Sequence, residues 1–135
     1  SQTVGMGREF IETFSTARHI MQEVDDSLSQ KLTDLILEGP FDKLTLTENA
    51  QPALLAVSMV VLKTLEKESG KALPELASYL AGHSLGEYSA LCAAGVFKLS
   101  QAVQLVRLRG QAMQKATPLG HGAMAAILGL ELETI

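Results

Sequence analysis

The chain has 135 residues, 47% of them hydrophobic and 19% charged, which is enough for one domain with a sizeable core and too apolar for a disordered segment. A net charge of −4 and a pI of about 5.3 exclude the basic footprint of a general nucleic-acid binder. The one cysteine, Cys92, excludes an internal disulfide and has no metal-ligand cluster around it, which fits a reducing, cytoplasmic setting.

The opening stretch "SQTVGMG" is polar and glycine-rich. With the closing "LGLELETI", where a new element is expected to start, it makes both ends read as cuts through a longer protein. "REFIETFSTARHIMQEV" places Phe10, Phe14, Ala17, Met21 and Val24 at steps of three and four, which predicts one amphipathic helix. "SLSQKLTDLILEG" continues with Leu28, Leu32, Leu35 and Ile36 as a shorter helix, stopped by Gly39-Pro40. "FDKLTLTENAQ" reads as a polar connection.

Pro52 suits the first turn of a third helix, from Pro52 to about Lys67, where its missing N–H would be unpaired anyway. This helix is apolar nearly all round, so it is expected to be buried on several sides. Its apolar run, "PALLAVSMVVL", is shorter than the roughly 20 residues of a bilayer span. It lacks signal-peptide flanks, so no membrane is expected as a partner.

"LASYLAG" has the length of a short strand, "LGEYSALCAAG" reads as a helix ended by Gly95, and "SQAVQLVRLRGQAMQKA" as another with Ser100 as N-cap. After a "TPLGHG" loop, "AMAAILGL" reads as a strand. The partners of these strands are not in the chain, so the class is α/β while the stretch itself is mostly helical.

Between the first strand and its helix lies Gly82-His83-Ser84-Leu85-Gly86, a G-x-S-x-G nucleophile elbow in the context that the motif requires. The turn is so sharp that the serine backbone is strained. A Cβ at either glycine is expected to collide with neighbouring backbone. Ser84 is thereby exposed as a nucleophile, and the Leu85 N–H at the helix N-terminus can stabilise the oxyanion of a tetrahedral intermediate.

In the last helix Ala102, Leu105, Val106, Ala112 and Met113 share one side, while Gln104, Arg107, Gln111 and Lys115 share the other. Arg107 is then a solvated residue. Arg109 falls in the middle of the apolar face, where an unpaired cation would cost several kcal/mol. Its partner is either a buried carboxylate of this protein or the carboxylate of a substrate, held bidentately.

With the serine in "GHSLGEYSAL" and this arginine in "VRLRGQAMQKA", the chain resembles the malonyl-CoA:acyl carrier protein transacylase family of bacterial fatty-acid synthesis. "SQTVGMG" resembles the stretch after that family's first strand, "TENAQPALLA" its T-x-N-x-Q-P-A-L segment, and "GAMAAILGL" the first strand of its small subdomain. The resemblance covers nearly the whole chain.

It implies an α/β-hydrolase-like large subdomain with a parallel sheet, of which residues 1–120 would form a part that lacks the first strand. Residues 121–135 would begin a ferredoxin-like small subdomain. It also implies a double displacement: Ser84 takes malonyl from malonyl-CoA and yields it to the phosphopantetheine thiol of acyl carrier protein. Arg109 would bind the malonyl carboxylate, with no cofactor, and the intact protein would be a cytoplasmic monomer.

Of the family's first-loop G-Q-G-S-Q only Ser1 and Gln2 remain, and the active-site glutamine is not carried onto Gln2. The family's catalytic histidine would lie beyond Ile135, so the stretch alone lacks the expected base.

The other candidates have plainer readings. His83 rims or supports the elbow, His121 sits in a glycine-flanked loop, and His19 has no catalytic neighbours in sequence. Cys92 is a buried filler with nothing cationic near enough to activate it. Glu87 suits the positive end of the elbow helix, and Met113, one turn past Arg109, lines the acyl pocket or fills core.

Two other functions compete. A serine hydrolase or thioesterase needs an acid and a histidine after the serine, and after Ser84 there is no Asp and only His121. A non-catalytic acyl-binding module has no need of a strained, exposed serine. A synthase acyltransferase domain is a close relative that the sequence does not separate from a stand-alone enzyme.

Overall fold

The computed structural model describes residues 2–117, 120, 122, 128 and 129. Among them the chain forms eight helices: α1 Arg8–Thr13, α2 Ser15–Leu28, α3 Leu32–Glu38, α4 Phe41–Thr45, α5 Thr47–Ser69, α6 Leu73–Leu76, α7 Leu85–Ala93 and α8 Leu99–Ala116.

The apolar helix α5 is the centre, packed by α8, α2, α7 and α4. Its Ala53, Leu55, Ala56, Met59 and Val60 meet Ala17, Ile20, Met21 and Val24 of α2 and Ala102, Val103 and Val106 of α8 in one core. Burying side chains of this size stabilises by about 1.5–3 kcal/mol each for the larger ones. No helix among the described residues is long and apolar enough to cross a membrane.

Several local expectations are corrected. The first helix is two: the backbone is extended at Phe14, and Arg18 Nη1 donates to the carbonyls of Ile11 and Glu12 at 2.9 and 3.0 Å. That guanidinium takes up orphan carbonyls at the end of α1, which periodicity does not reveal. Phe10 and Phe14 nonetheless pack on the core as expected.

The polar connection holds α4 and the first turn of α5. Asn49 Nδ2 donates to the Lys43 carbonyl at 2.8 Å, and the Leu46 carbonyl accepts from the N–H groups of Asn49 and Ala50. Helix α5 therefore starts at Thr47, and Pro52 lies inside it.

Helix α8 starts one residue before Ser100. The N-cap is Lys98, whose backbone N–H is taken by Gln101 Oε1 at 3.1 Å. "LASYLAG" forms no strand among the described residues. It is the end of α6 and an irregular run in which Tyr79 is 91% exposed, because a strand exists only through a ladder with a partner. His121 and, save for Leu128 and Gly129, the strand expected at "AMAAILGL" lie outside the described residues.

Candidate active site

The elbow forms around Ser84, which caps α7 with φ 55° and ψ −113°. A side chain rarely adopts this conformation, and it costs about 1–3 kcal/mol. The turn holds because Gly82 lies directly against the first turn of α7. A Cβ on Gly82 would stand 1.9 Å from the Gly86 carbonyl oxygen and 2.5 Å from the Glu87 nitrogen.

Gly86 differs from expectation. A Cβ there would meet nothing within 4 Å. It serves the elbow through its backbone, which Gly82 approaches, and not through its own lack of a side chain.

Gly82, His83 and Ser84 are exposed. The carbonyls of His83 and Ser84 accept from the N–H groups of Gly86 and Glu87 at 2.9 and 3.2 Å. Among the described residues, no backbone bond of this kind takes up the Leu85 N–H. This N–H stands at a half-exposed helix start.

Arg109 comes to the elbow from α8. Its Nη2 donates to Ser84 Oγ at 2.8 Å, and its Nη1 to Gln51 Oε1 at 2.5 Å. The guanidinium carbon lies 5.8 Å from the centroid of the Tyr88 ring on α7, within range of a cation–π contact. No carboxylate among the described residues pairs with Arg109.

Arg109 is half-buried, and it lies at the flank of the buried stripe instead of its middle. The residues that α8 buries are Ala102, Val103, Val106 and Gly110, while Leu105 is 40% exposed. Gly110 is the reason for the rotation: a Cβ there would stand 2.6 Å from both Glu48 Cα and the Thr47 carbonyl oxygen. The two helices touch backbone to backbone at this residue.

Gln51 orients the arginine. It is 5% exposed, and its Nε2 donates to Thr47 Oγ1 at 2.8 Å and to Met113 Sδ at 3.3 Å. These bonds aim Oε1 at Arg109. Met113 thus stands beside Gln51 and accepts a bond from it. Sequence reasoning assigned no role to Gln51, Tyr88 or Gly110. The available signal was an amide side chain directly before a proline and the apolar run that follows it.

Arg107 is also corrected. It is half-buried, donating to Asn49 Oδ1 at 2.7 Å and to Gln30 Oε1. Burial lowers its pKa, with Glu48 opposing.

The remaining candidates are dispersed. His83 and Glu87 are exposed at the elbow, and His19 is exposed on α2. Cys92 is buried, and burial pushes its thiol pKa up, the opposite of activation.

Residues 1–134 match the acyl transferase domain family. The chain is 51% identical over all its 135 residues to a malonyl CoA-acyl carrier protein transacylase of Bacillus subtilis, of which it spans 41%. It is 43% identical, over 97% of its length and 41% of the relative's, to one of Escherichia coli. An acyl-carrier-protein S-malonyltransferase structure from Bartonella henselae matches with a TM-score of 0.91 at 53% identity, over 99% of this chain and 42% of that one. A malonyl-transacylase solved in complex with its type II PKS acyl carrier protein matches with a TM-score of 0.79 at 42% identity, over 87% of this chain and 37% of that one. The chain thus spans about two fifths of the length of these relatives.

Proposed function

Because the chain belongs to the acyl transferase domain family, we propose that it carries the nucleophile and the acyl-selecting arginine of a malonyl-CoA:acyl carrier protein transacylase. Residues 1–120 belong in this reading to an α/β-hydrolase-like large subdomain.

Ser84 Oγ attacks the thioester carbon of malonyl-CoA. The carbon–sulfur bond breaks, and CoA leaves as the thiol with the serine proton. The phosphopantetheine thiol of acyl carrier protein then attacks the malonyl-serine ester and returns the proton to Ser84. Splitting one acyl transfer into two steps is covalent catalysis.

The Leu85 N–H faces the oxyanion of each tetrahedral intermediate. The Arg109 guanidinium offers only donors and cannot be the base. Its task is the free carboxylate, which hangs one methylene beyond the ester carbonyl on Ser84. No cofactor is needed, since CoA enters as part of the substrate.

The observation that carries this reading is the guanidinium on the serine: Arg109 Nη2 lies 2.8 Å from Ser84 Oγ. A hydrolase for neutral esters has no use for a fixed cation there. The test is intact-mass detection of a malonyl adduct on Ser84 after mixing with malonyl-CoA, followed by its transfer on adding holo-acyl carrier protein. Loss of the adduct only to water would instead make the protein a thioesterase. Absence of any adduct would sink the covalent mechanism.

A further inference from the structure

Arg109 is one of a pair. Helices α8 and α5 cross at Gly110, where the backbones of Gly110 and Glu48 meet. At about 100° per residue, Arg107 and Arg109 lie roughly 80° to either side of the stripe that α8 buries. Each reaches down one flank of the crossing to an amide at the start of α5: Arg107 to Asn49 and Arg109 to Gln51.

The two flanks differ in how they are filled. On one side both terminal nitrogens of Arg107 meet amide oxygens. It donates to Asn49 and to Gln30, and Asn49 is itself anchored on the Lys43 carbonyl. On the other side Arg109 spends one nitrogen on Gln51 and turns the other to Ser84.

No ion pair holds Arg107 among the described residues, and burial works against its charge. The contact is therefore a poor source of stability in itself. Directional bonds can do something that an apolar contact would not: they can hold α8 at the rotation about its axis that the Gly110 contact allows.

We infer that Arg107 is a positioning residue that, through Asn49 and Gln30, locks the rotation of α8 and so aims Arg109 at Ser84. A turn of α8 that lengthened the Arg107 bonds would carry Arg109 away from the serine, since both project from one rigid helix. The consequence for acyl selectivity rests on the transacylase reading. The positioning itself does not.

The test uses Arg107→Met and, as a gentler change at the rim, Gln30→Ala, with Arg107→Lys as the conservative variant. In the full protein, residues coupled through a shared backbone shift interact strongly enough that Arg107→Met should raise KM for malonyl-CoA about tenfold. Neither kcat nor the parameters for acetyl-CoA should move comparably, Gln30→Ala should show a smaller shift of the same kind, and Arg107→Lys should restore part of the loss. In an Arg109→Ala background the Arg107 and Gln30 changes should have no further effect.

A second readout needs no substrate. Mass-mapped phenylglyoxal modification of Arg109 should speed up about tenfold in Arg107→Met and more modestly in Gln30→Ala. Unchanged Arg109 reactivity in both variants would overturn the inference, as would equal losses for malonyl and acetyl donors. Faster modification in a protein that takes no malonyl would uphold the positioning and defeat the transacylase reading, so the two failures are distinct.

Discussion

Arg109 and Ser84, which stand on different helices, share a hydrogen bond of 2.8 Å with no carboxylate between them. The cation thus lies against the serine hydroxyl before any substrate arrives. An acyl group with its own carboxylate can replace the serine hydroxyl as the partner of Nη2, and an acetyl group cannot. Hydrogen bonds to charged groups contribute about 1.5–3 kcal/mol, so Arg109→Ala should lower kcat/KM for malonyl-CoA by roughly 10- to 100-fold. The value for acetyl-CoA should fall far less or rise. Steady-state kinetics with both donors decide this, and equal losses would reduce Arg109 to a structural residue.

Gln51 offers an opposite lever. Gln51→Glu puts a carboxylate where Arg109 Nη1 now meets an amide oxygen. The new pair, 5% exposed on the side of residue 51, should hold the guanidinium and compete with the substrate. KM for malonyl-CoA is expected to rise about tenfold or more, with the fold retained by circular dichroism. A KM at the parent value would show that Gln51 does not govern Arg109.

The two elbow glycines should respond differently. A Cβ at Gly82 collides with backbone that cannot step aside, whereas one at Gly86 meets open space. Gly82→Ala should cost at least about 2 kcal/mol and remove acyl-enzyme formation. Gly86→Ala should keep both fold and adduct and add a few tenths of a kcal/mol up to about 1 kcal/mol, because alanine favours a helix over glycine. Thermal unfolding with intact-mass measurement reads both, and similar damage from the two changes would contradict the geometry.

Ser84 trades stability for exposure. Its φ of 55° with ψ −113° suits glycine far better than any residue with a Cβ. Both Ser84→Ala and Ser84→Gly should abolish the adduct. Ser84→Gly alone should relieve the strain and exceed Ser84→Ala in stability by about 1 kcal/mol. Glycine and alanine variants of equal stability would mean that the elbow is unstrained.

Cys92 gives a pH dependence with a definite sign. Burial raises its thiol pKa in the folded chain, so the folded state holds its proton more tightly than the unfolded state does. The stability linked to this proton is complete below the unfolded thiol value of about 8.5 and is lost as pH rises through the folded value. Denaturant unfolding between pH 7 and about 10 should show a decline that Cys92→Ala diminishes. Alkylation of Cys92 should be slow in the folded protein. Rapid labelling at neutral pH would show that the thiol is reachable.

The sequence by itself determined what depends on neighbours along the chain. Ser84 between Gly82 and Gly86, ahead of an Ala- and Leu-rich run, encodes an elbow, because a turn that tight is a matter of a few adjacent dihedrals. The three-and-four spacing of Ala17, Met21 and Val24 encodes a core-facing helix, and all three are buried. The sequence also singled out Arg109, but by placing it in the middle of an apolar face where the structure puts it at the flank.

What only the tertiary structure decided was which way each helix turns and what its polar groups meet. Helix α8 is rotated from the face that its leucines suggest, because Gly110 lets its backbone rest on Glu48. That contact, between residues far apart in sequence, moves Arg109 to the flank and draws Arg107 out of solvent onto Asn49. The break at Phe14 and the early start of α5 likewise depend on Arg18 and Asn49 bonding to carbonyls outside their own helices. Hydrophobic periodicity is a local signal, with a period set by one helix. The partners of a guanidinium or an amide are chosen by the approach of another helix, and no local pattern carries that distance.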